Sequence, residues 1–290
     1  DIRVKAMRTL TVTKKKQVAT ITMHFGQALK QELGAGPRRK PSLAWEHPDL
    51  AAAFMKLRED DSVRVIILTG SDGQFKVPAP RHSYEKGKGR LSHLADPTTA
   101  WKVFSSIIRL HQTMAEIEKP IIAKVNGDAI GFGSSIAFAS DIIVASDDAM
   151  FMDHHMGGTF ESNYLGKTLQ GGHESSSVPG DGGLALVPLY MTPCKAKEYL
   201  MLAQPYAASE LARLGMINYA VPSKDLDRKV DEIVERFLAR GAYALALAKR
   251  VANRRVVEHL NMTLDAGIGY EMVSFLQLEK ARGKEKKQLD

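Results

Sequence analysis

Three runs of apolar, β-branched residues punctuate the first half of the chain: Val18 to Met23, Val63 to Thr69 and Ile121 to Val125. Short apolar runs bounded by polar and turn-forming residues predict buried strands. Ile142 to Ala145 predicts a fourth. Between these runs the period changes to that of a helix. Leu50, Phe54 and Leu57 share one helical face, as do Trp101, Phe104, Ile108 and Ala115. Strands alternating with helices predict an α/β architecture.

Past residue 205 the pattern becomes nearly all helical. Ser209 is placed to cap a helix from Glu210 to Leu214, with Gly215 as its stop. Leu226, Val230, Ile233 and Phe237 form a stripe that ends at Gly241. Two further helices are predicted, Tyr243 to Leu260 and Leu264 to Ala281, the last amphipathic through Ile268, Met272 and Phe275. The expected organisation is a core over 1–205 and a helical oligomerisation region over 206–290. Helices with several apolar faces and no sheet of their own must pack on the core or on a neighbouring subunit. Between Gly157 and Val178 the chain is rich in Gly, Ser and Thr with few apolar anchors, the composition of a lid, a pocket wall or a disordered loop.

The chain has 290 residues, 44% of them apolar and 25% charged, an ordinary globular composition. No segment approaches the ~18 consecutive apolar residues of a membrane span. The stretch Asp1 to Lys16 is polar and basic and lacks the apolar core of a secretory leader. Cys194 is the single cysteine, which excludes an internal disulfide and fits a reducing, cytoplasmic setting. It has no base near it in sequence and reads as a small buried or helix-start residue. The formal charge is +7, with basic clusters at Lys14 to Lys16, Arg38 to Lys40, Lys86 to Arg90 and Lys280 to Lys287. These fit solvated loops, or attraction of an anionic ligand such as a nucleotide-bearing coenzyme. They are not interleaved with aromatic residues, so nucleic acid is not the expected partner.

Candidate chemistry begins in Lys119 to Asp141, KPIIAKVNGDAIGFGSSIAFASD. A strand ends at Val125, Asn126-Gly127 turns the chain, and Gly131-Phe132-Gly133 opens a helix predicted to begin at Ser134. Such a turn exposes backbone N–H groups that can hold a phosphate or a developing oxyanion. Tight helix–strand packing explains the glycines equally well.

This run resembles the signature of the crotonase (enoyl-CoA hydratase/isomerase) superfamily. Further stretches match in order: Val65 to Gly70 followed by Phe75, Val178-Pro179-Gly180-Asp181-Gly182-Gly183, Ala208 to Pro222, and Gly267 to Phe275 with a mid-run Glu. The resemblance covers about residues 10 to 280. It implies a spiral of ββα units with a C-terminal helical region, assembly as a homotrimer or homohexamer, and two backbone N–H donors, Ala79 and Phe132, facing a substrate carbonyl. Pro78-Ala79-Pro80 departs from the family's usual Gly-Ala-Asp context, and Phe132 stands where a glycine is usual. Both changes argue against recognition of an adenine nucleotide there, so no cofactor is expected.

By the same resemblance, the two acid–base glutamates of hydratases fall on Ser135 and His155. His155 with Asp181 resembles the 6-oxocamphor hydrolase branch, in which a β-diketone is cleaved without coenzyme A. The expectation is hydrolysis of a C–C bond in a cyclic β-dicarbonyl compound, with His155 the base, Asp181 its orienter, and His154 the neighbour that a one-residue register error would exchange for it. Glu271 is a further candidate, expected to reach a neighbouring active site or to serve a subunit contact. A hydratase, isomerase or ring-opening hydrolase acting on a coenzyme A thioester stays open, as does a non-catalytic or RNA-binding homologue. Asp153, His154, His155, His173 and Glu174 are metal-capable, but their spacing matches no ligand motif and no metal is expected.

Overall fold

The computed structural model describes residues 3–7, 9–24, 43–71, 73–76, 97–157, 159–162, 167–170 and 177–289. Its main sheet has seven strands in the order β1-β2-β3-β4-β5-β7-β12. Strands β1 (Arg3–Ala6), β2 (Leu10–Lys15) and β3 (Val18–Met23) pair antiparallel. From β3 onward the pairing is parallel through β4 (Val65–Gly70), β5 (Ile121–Val125), β7 (Ile142–Ser146) and β12 (Tyr219–Val221). Helices cover parallel strands on both faces, which is why β4 and β5 read as apolar runs rather than alternations.

A second, three-stranded sheet runs β11-β8-β6, from β6 (Ala129–Ile130), β8 (Met150–Met152) and β11 (Tyr206–Ala207). Lys76 extends it through a parallel bridge to Ala129. Each turn of the chain thus gives one strand to the main sheet, a short one to the second, and a helix. Asn126 ties two such turns together: its Oδ1 accepts from Gly70 N–H at 3.2 Å and its Nδ2 donates to Gly70 O at 2.9 Å. Asp141 closes the next turn by accepting from Ile121 N–H at 2.7 Å and pairing with Lys249 at 2.7 Å.

The helices are α1 (Leu43–Arg58), α2 (Pro97–Glu116), α3 (Phe132–Phe138), α4 (Gly183–Tyr190), α5 (Pro193–Met201), α6 (Ala208–Arg213), α7 (Leu226–Leu238), α8 (Ala242–Ala252) and α9 (Arg254–Leu289). Leu50, Phe54 and Leu57 are buried as expected. On α2 the expected face is buried at Phe104 and Ala115 and half-buried at Ile108, but Trp101 is 67% exposed and the inward face extends to Val103, Ile107, Leu110 and Met114. Helix α3 starts at Phe132, two residues before the expected start, because Ser134 N–H already bonds Gly131 O. Ala207, not Ser209, is the N-cap of α6. Strand β12 returns to the main sheet after residue 205, so the wholly helical part begins only at α7. The break expected between residues 260 and 264 is absent: α9 runs without interruption from Arg254. Cys194 lies at the start of α5 and is exposed, not buried. Within the Gly/Ser/Thr-rich stretch, β9 (Thr159–Ser162) and β10 (Lys167–Gln170) form an antiparallel hairpin.

Candidate active site

The resembling motifs converge at one end of the second sheet. Gly131 follows β6 and donates its N–H to Met152 O of β8 at 2.8 Å. Its φ of +60° suits glycine, and a Cβ there would lie 2.2 Å from the His154 ring. His154 therefore packs under the turn that presents Phe132, whose N–H, first in α3, has no acceptor within the helix. The Phe132 ring stacks on His47 of α1 at 4.0 Å. Ala79, the other expected donor, lies outside the described residues, as do His173 and Glu174.

His155 sits just past β8 and is buried together with Asp153, Asp181 and Glu271. Its Nδ1–H donates to Asp153 Oδ1 at 2.8 Å, and its backbone N–H donates to the same oxygen at 3.1 Å. The bond from the His155 N–H to the Asp153 side chain closes an Asx turn just past β8, which is what brings the carboxylate onto the ring. The expected orienter was Asp181. Its Oδ2 is 3.6 Å from His155 Nε2, too far for a hydrogen bond, so the carboxylate bonded to the ring is Asp153. Asp181 is held instead by Ser135, whose hydroxyl donates to Oδ1 at 3.2 Å.

Glu271, on α9, brings Oε1 to 3.6 Å from His155 Nε2 of its own chain rather than a neighbour's. Its approach depends on Gly180: a Cβ there would lie 2.6 Å from Glu271 Oε2 and 2.6 Å from Gly267 O. Ser274 fastens the same contact, accepting from Val178 N–H at 3.2 Å.

With Nδ1–H committed to Asp153, the neutral ring carries its lone pair on Nε2, facing Asp181 and Glu271. Burial alone would lower the His155 pKa, but Asp181, Asp153 and Glu271 overcome it and raise the value to about 10. Burial pushes Glu271 up to about 8, helped by Asp181 and Asp153 and opposed by His155. Asp181 is likewise raised by burial, against the pull of His155. On α2, His111 donates Nδ1–H to Ile107 O at 2.9 Å, and burial lowers its pKa to about 4, so it stays neutral. Asp153, His155 and Asp181 also place one ligand atom each within 4.8 Å of one another, the spacing a cation would require.

The cluster unites Asp153, His155, Asp181 and Glu271, and puts His154 against the Gly131 turn. Sequence reasoning missed the bond from Asp153 to His155, whose i, i+2 spacing was the available signal. It also missed His47 and His111, which come from distant helices and carry no local signal.

Parallel β turns feeding backbone donors beside a buried acid–base cluster define an enzyme scaffold. A sequence profile described as Enoyl-CoA hydratase/isomerase matches residues 44–287, and the chain belongs to that family, the crotonase superfamily. A crotonyl-CoA hydratase of Syntrophomonas wolfei is 29% identical over 227 residues, spanning 78% of this chain and 76% of that protein. Among solved structures, an enoyl-CoA hydratase/isomerase of Mycobacterium paratuberculosis superposes with a TM-score of 0.73 at 23% identity, covering 93% of this chain and 94% of that one. A β-diketone hydrolase of the cyanobacterium Anabaena, bound to (S)-3-oxocyclohexyl acetic acid, gives 0.75 at 21% identity, covering 94% and 96%. At these identities the superpositions establish the crotonase fold. No helix among the described residues is long and apolar enough to cross a membrane.

Proposed function

We propose that this crotonase-superfamily enzyme hydrolyses a C–C bond of a cyclic β-dicarbonyl compound. The observation that carries the reading is the imidazole of His155, fixed by Asp153 with Nε2 turned to Asp181 and Glu271. Where the resemblance expects hydratase glutamates, Ser135 and His155 stand instead. The neutral ring takes a proton from water at Nε2, and the hydroxide adds to one carbonyl of the substrate. Scission of the adjacent C–C bond leaves an enolate, whose oxygen the Phe132 N–H holds, with Ala79 the second donor that the family resemblance implies. A backbone donor of this kind is typically worth ~3 kcal/mol in the transition state. Asp181, braced by Ser135, stabilises the imidazolium that forms.

The test is hydrolysis of 6-oxocamphor. His155→Ala should lower turnover by ~10²–10⁴-fold with the fold intact. His154→Ala should cost less, through a loosened Gly131 turn. Full activity in His155→Ala would remove the mechanism.

The hydratase relatives favour a second reading, a coenzyme A thioester as substrate. Calorimetry with acetyl-CoA and crotonyl-CoA separates the two: micromolar binding and hydration of crotonyl-CoA would support the thioester reading, and no binding the first.

A further inference from the structure

Three buried carboxylates, Asp153, Asp181 and Glu271, surround one imidazole. Even with His155 protonated, three ionised carboxylates would leave two uncompensated negative charges in the protein interior. Burial of that kind is relieved by protonating one of them. The hydrogen bonds identify which. Asp153 Oδ1 accepts from both the backbone N–H and the Nδ1–H of His155. Asp181 Oδ1 accepts from the Ser135 hydroxyl. Donated bonds favour the ionised form. Glu271 receives none: Oε2 is buried without a partner, and Oε1 stands 3.6 Å from His155 Nε2. Its place in the middle of α9 also denies it the field of a helix N-terminus.

The groups facing Glu271 are His155 from the segment after β8, Asp153 from the same segment, and Asp181 with Gly180 from the turn before α4. Two of these three charged neighbours are anionic, which again favours the neutral acid. The upward pKa shift of Glu271 runs the same way.

We propose that Glu271 is the protonated carboxylic acid of the cluster and delivers its proton to the enolate carbon. This rests on the β-diketone hydrolase reading. The O–H bond of water breaks and its proton goes to His155 Nε2, while the hydroxyl bonds to the carbonyl carbon. The C–C bond breaks and its electron pair becomes the enolate. The Glu271 O–H then breaks, and its proton bonds to the α-carbon. Glu271 recovers a proton from His155 once the two close their 3.6 Å separation to hydrogen-bond distance, which restores both groups. One water is consumed, a carboxylic acid and a ketone are formed, and no oxidant or reductant takes part.

Two measurements test this. Infrared spectroscopy in D2O at neutral pH should show the carbonyl band of a protonated carboxylic acid in the wild type and in Asp181→Asn, but not in Glu271→Gln. The second follows α-hydrogen exchange of 3-oxocyclohexyl acetic acid with D2O by NMR, a step that needs the carbon acid–base group but no C–C cleavage. Exchange should fall by ~10²-fold or more in Glu271→Gln. A band that persists in Glu271→Gln, or vanishes only in Asp181→Asn, overturns the assignment. So does undiminished exchange in Glu271→Gln. If the band and the exchange behave as expected while the wild type cleaves no β-diketone, the acid assignment stands and the hydrolase reading falls.

Discussion

The pH dependence of turnover is where the electrostatics of the cluster become measurable. A catalytic cycle that needs neutral His155 and protonated Glu271 depends on two groups raised to about 10 and about 8. The competent form is His155 without its proton and Glu271 with it. Below about pH 8, each unit of pH rise increases neutral His155 about tenfold while Glu271 keeps its proton, so log(kcat/KM) climbs with slope one. Between the two values the gain in neutral His155 is offset by the loss of protonated Glu271, and the rate is flat. Above about pH 10 only the loss remains, and the rate falls. Asp153→Asn removes a charge 2.8 Å from the ring. At an effective dielectric constant of about 20 that charge is worth roughly 6 kcal/mol before the neighbours relax. A third of that lowers the His155 pKa by more than one unit. The alkaline limb of Asp153→Asn should therefore move down by at least about one pH unit, and its maximum should drop because the ring is less firmly held. In Glu271→Gln the residual rate should rise without a plateau until His155 is neutral, at a pH below the wild-type value of about 10, because the Glu271 charge is one of those that raise it. The assay is initial-rate hydrolysis of 6-oxocamphor between pH 5 and 11, corrected for the uncatalysed reaction. A wild-type acid limb at the ordinary histidine value near 6.5, or limbs unmoved by Asp153→Asn, would refute the reasoning.

Gly180→Ala should place its Cβ 2.6 Å from Glu271 Oε2 and Gly267 O and force α9 away, costing about 1–3 kcal/mol in thermal or urea unfolding and most of the activity. Exhaustive treatment with EDTA should leave hydrolysis unchanged, since the mechanism works with protons alone; loss of rate restored by a divalent ion would instead mark Asp153, His155 and Asp181 as ligands. Light scattering at micromolar concentration should give the mass of a trimer or hexamer, because Tyr243 and Val251 of α8 and Met262, Tyr270, Val273 and Leu276 of α9 expose large apolar side chains. A stable monomer would count against that assembly.

Much of the fold was legible because its strongest determinants are local. Val18 to Met23 and Ile121 to Val125 match their strands residue for residue: β5, parallel to both neighbours, is apolar at four of its five positions, and β3 alternates buried with half-buried residues. The full width of α2's buried face was missed, and Trp101 wrongly included, because the buried positions also take in Ser106, His111 and Thr113, which dilute the apolar stripe. The continuous α9 was missed because Asn261 to Thr263 looks like an interruption, whereas a helix docked on a protein surface passes through such residues at little cost. The site was legible in part for the same reason. His155 and Asp181 stood in recognisable motifs. The partnership of Asp153 with His155, and the approach of Glu271 from its own chain, depend on how β8, the Gly180 turn and α9 meet.

That meeting also shows how one scaffold can host different reactions. Phe132 contributes a backbone N–H, so its place at the head of α3 is fixed by the Gly131 turn whatever side chain it carries. The acid–base groups come from three separate supports: the segment after β8, the turn before α4, and the C-terminal helix. Each can change its titratable residue without disturbing the backbone N–H at the head of α3. Here the supports bring an imidazole among three carboxylates, where the pair of neutral base and neutral acid is a minor form at every pH and most populated between about pH 8 and 10. The arrangement makes stability depend on pH, because protonated His155 is held by the carboxylates around it while ionised Glu271 is penalised by burial. His155 and Glu271 both hold protons more tightly folded than unfolded, so stability falls as pH rises, first from the ordinary glutamate value toward about 8 and then from the ordinary histidine value toward about 10. Buried groups shifted this far, brought together from three separate supports, form the pattern of a site kept for chemistry.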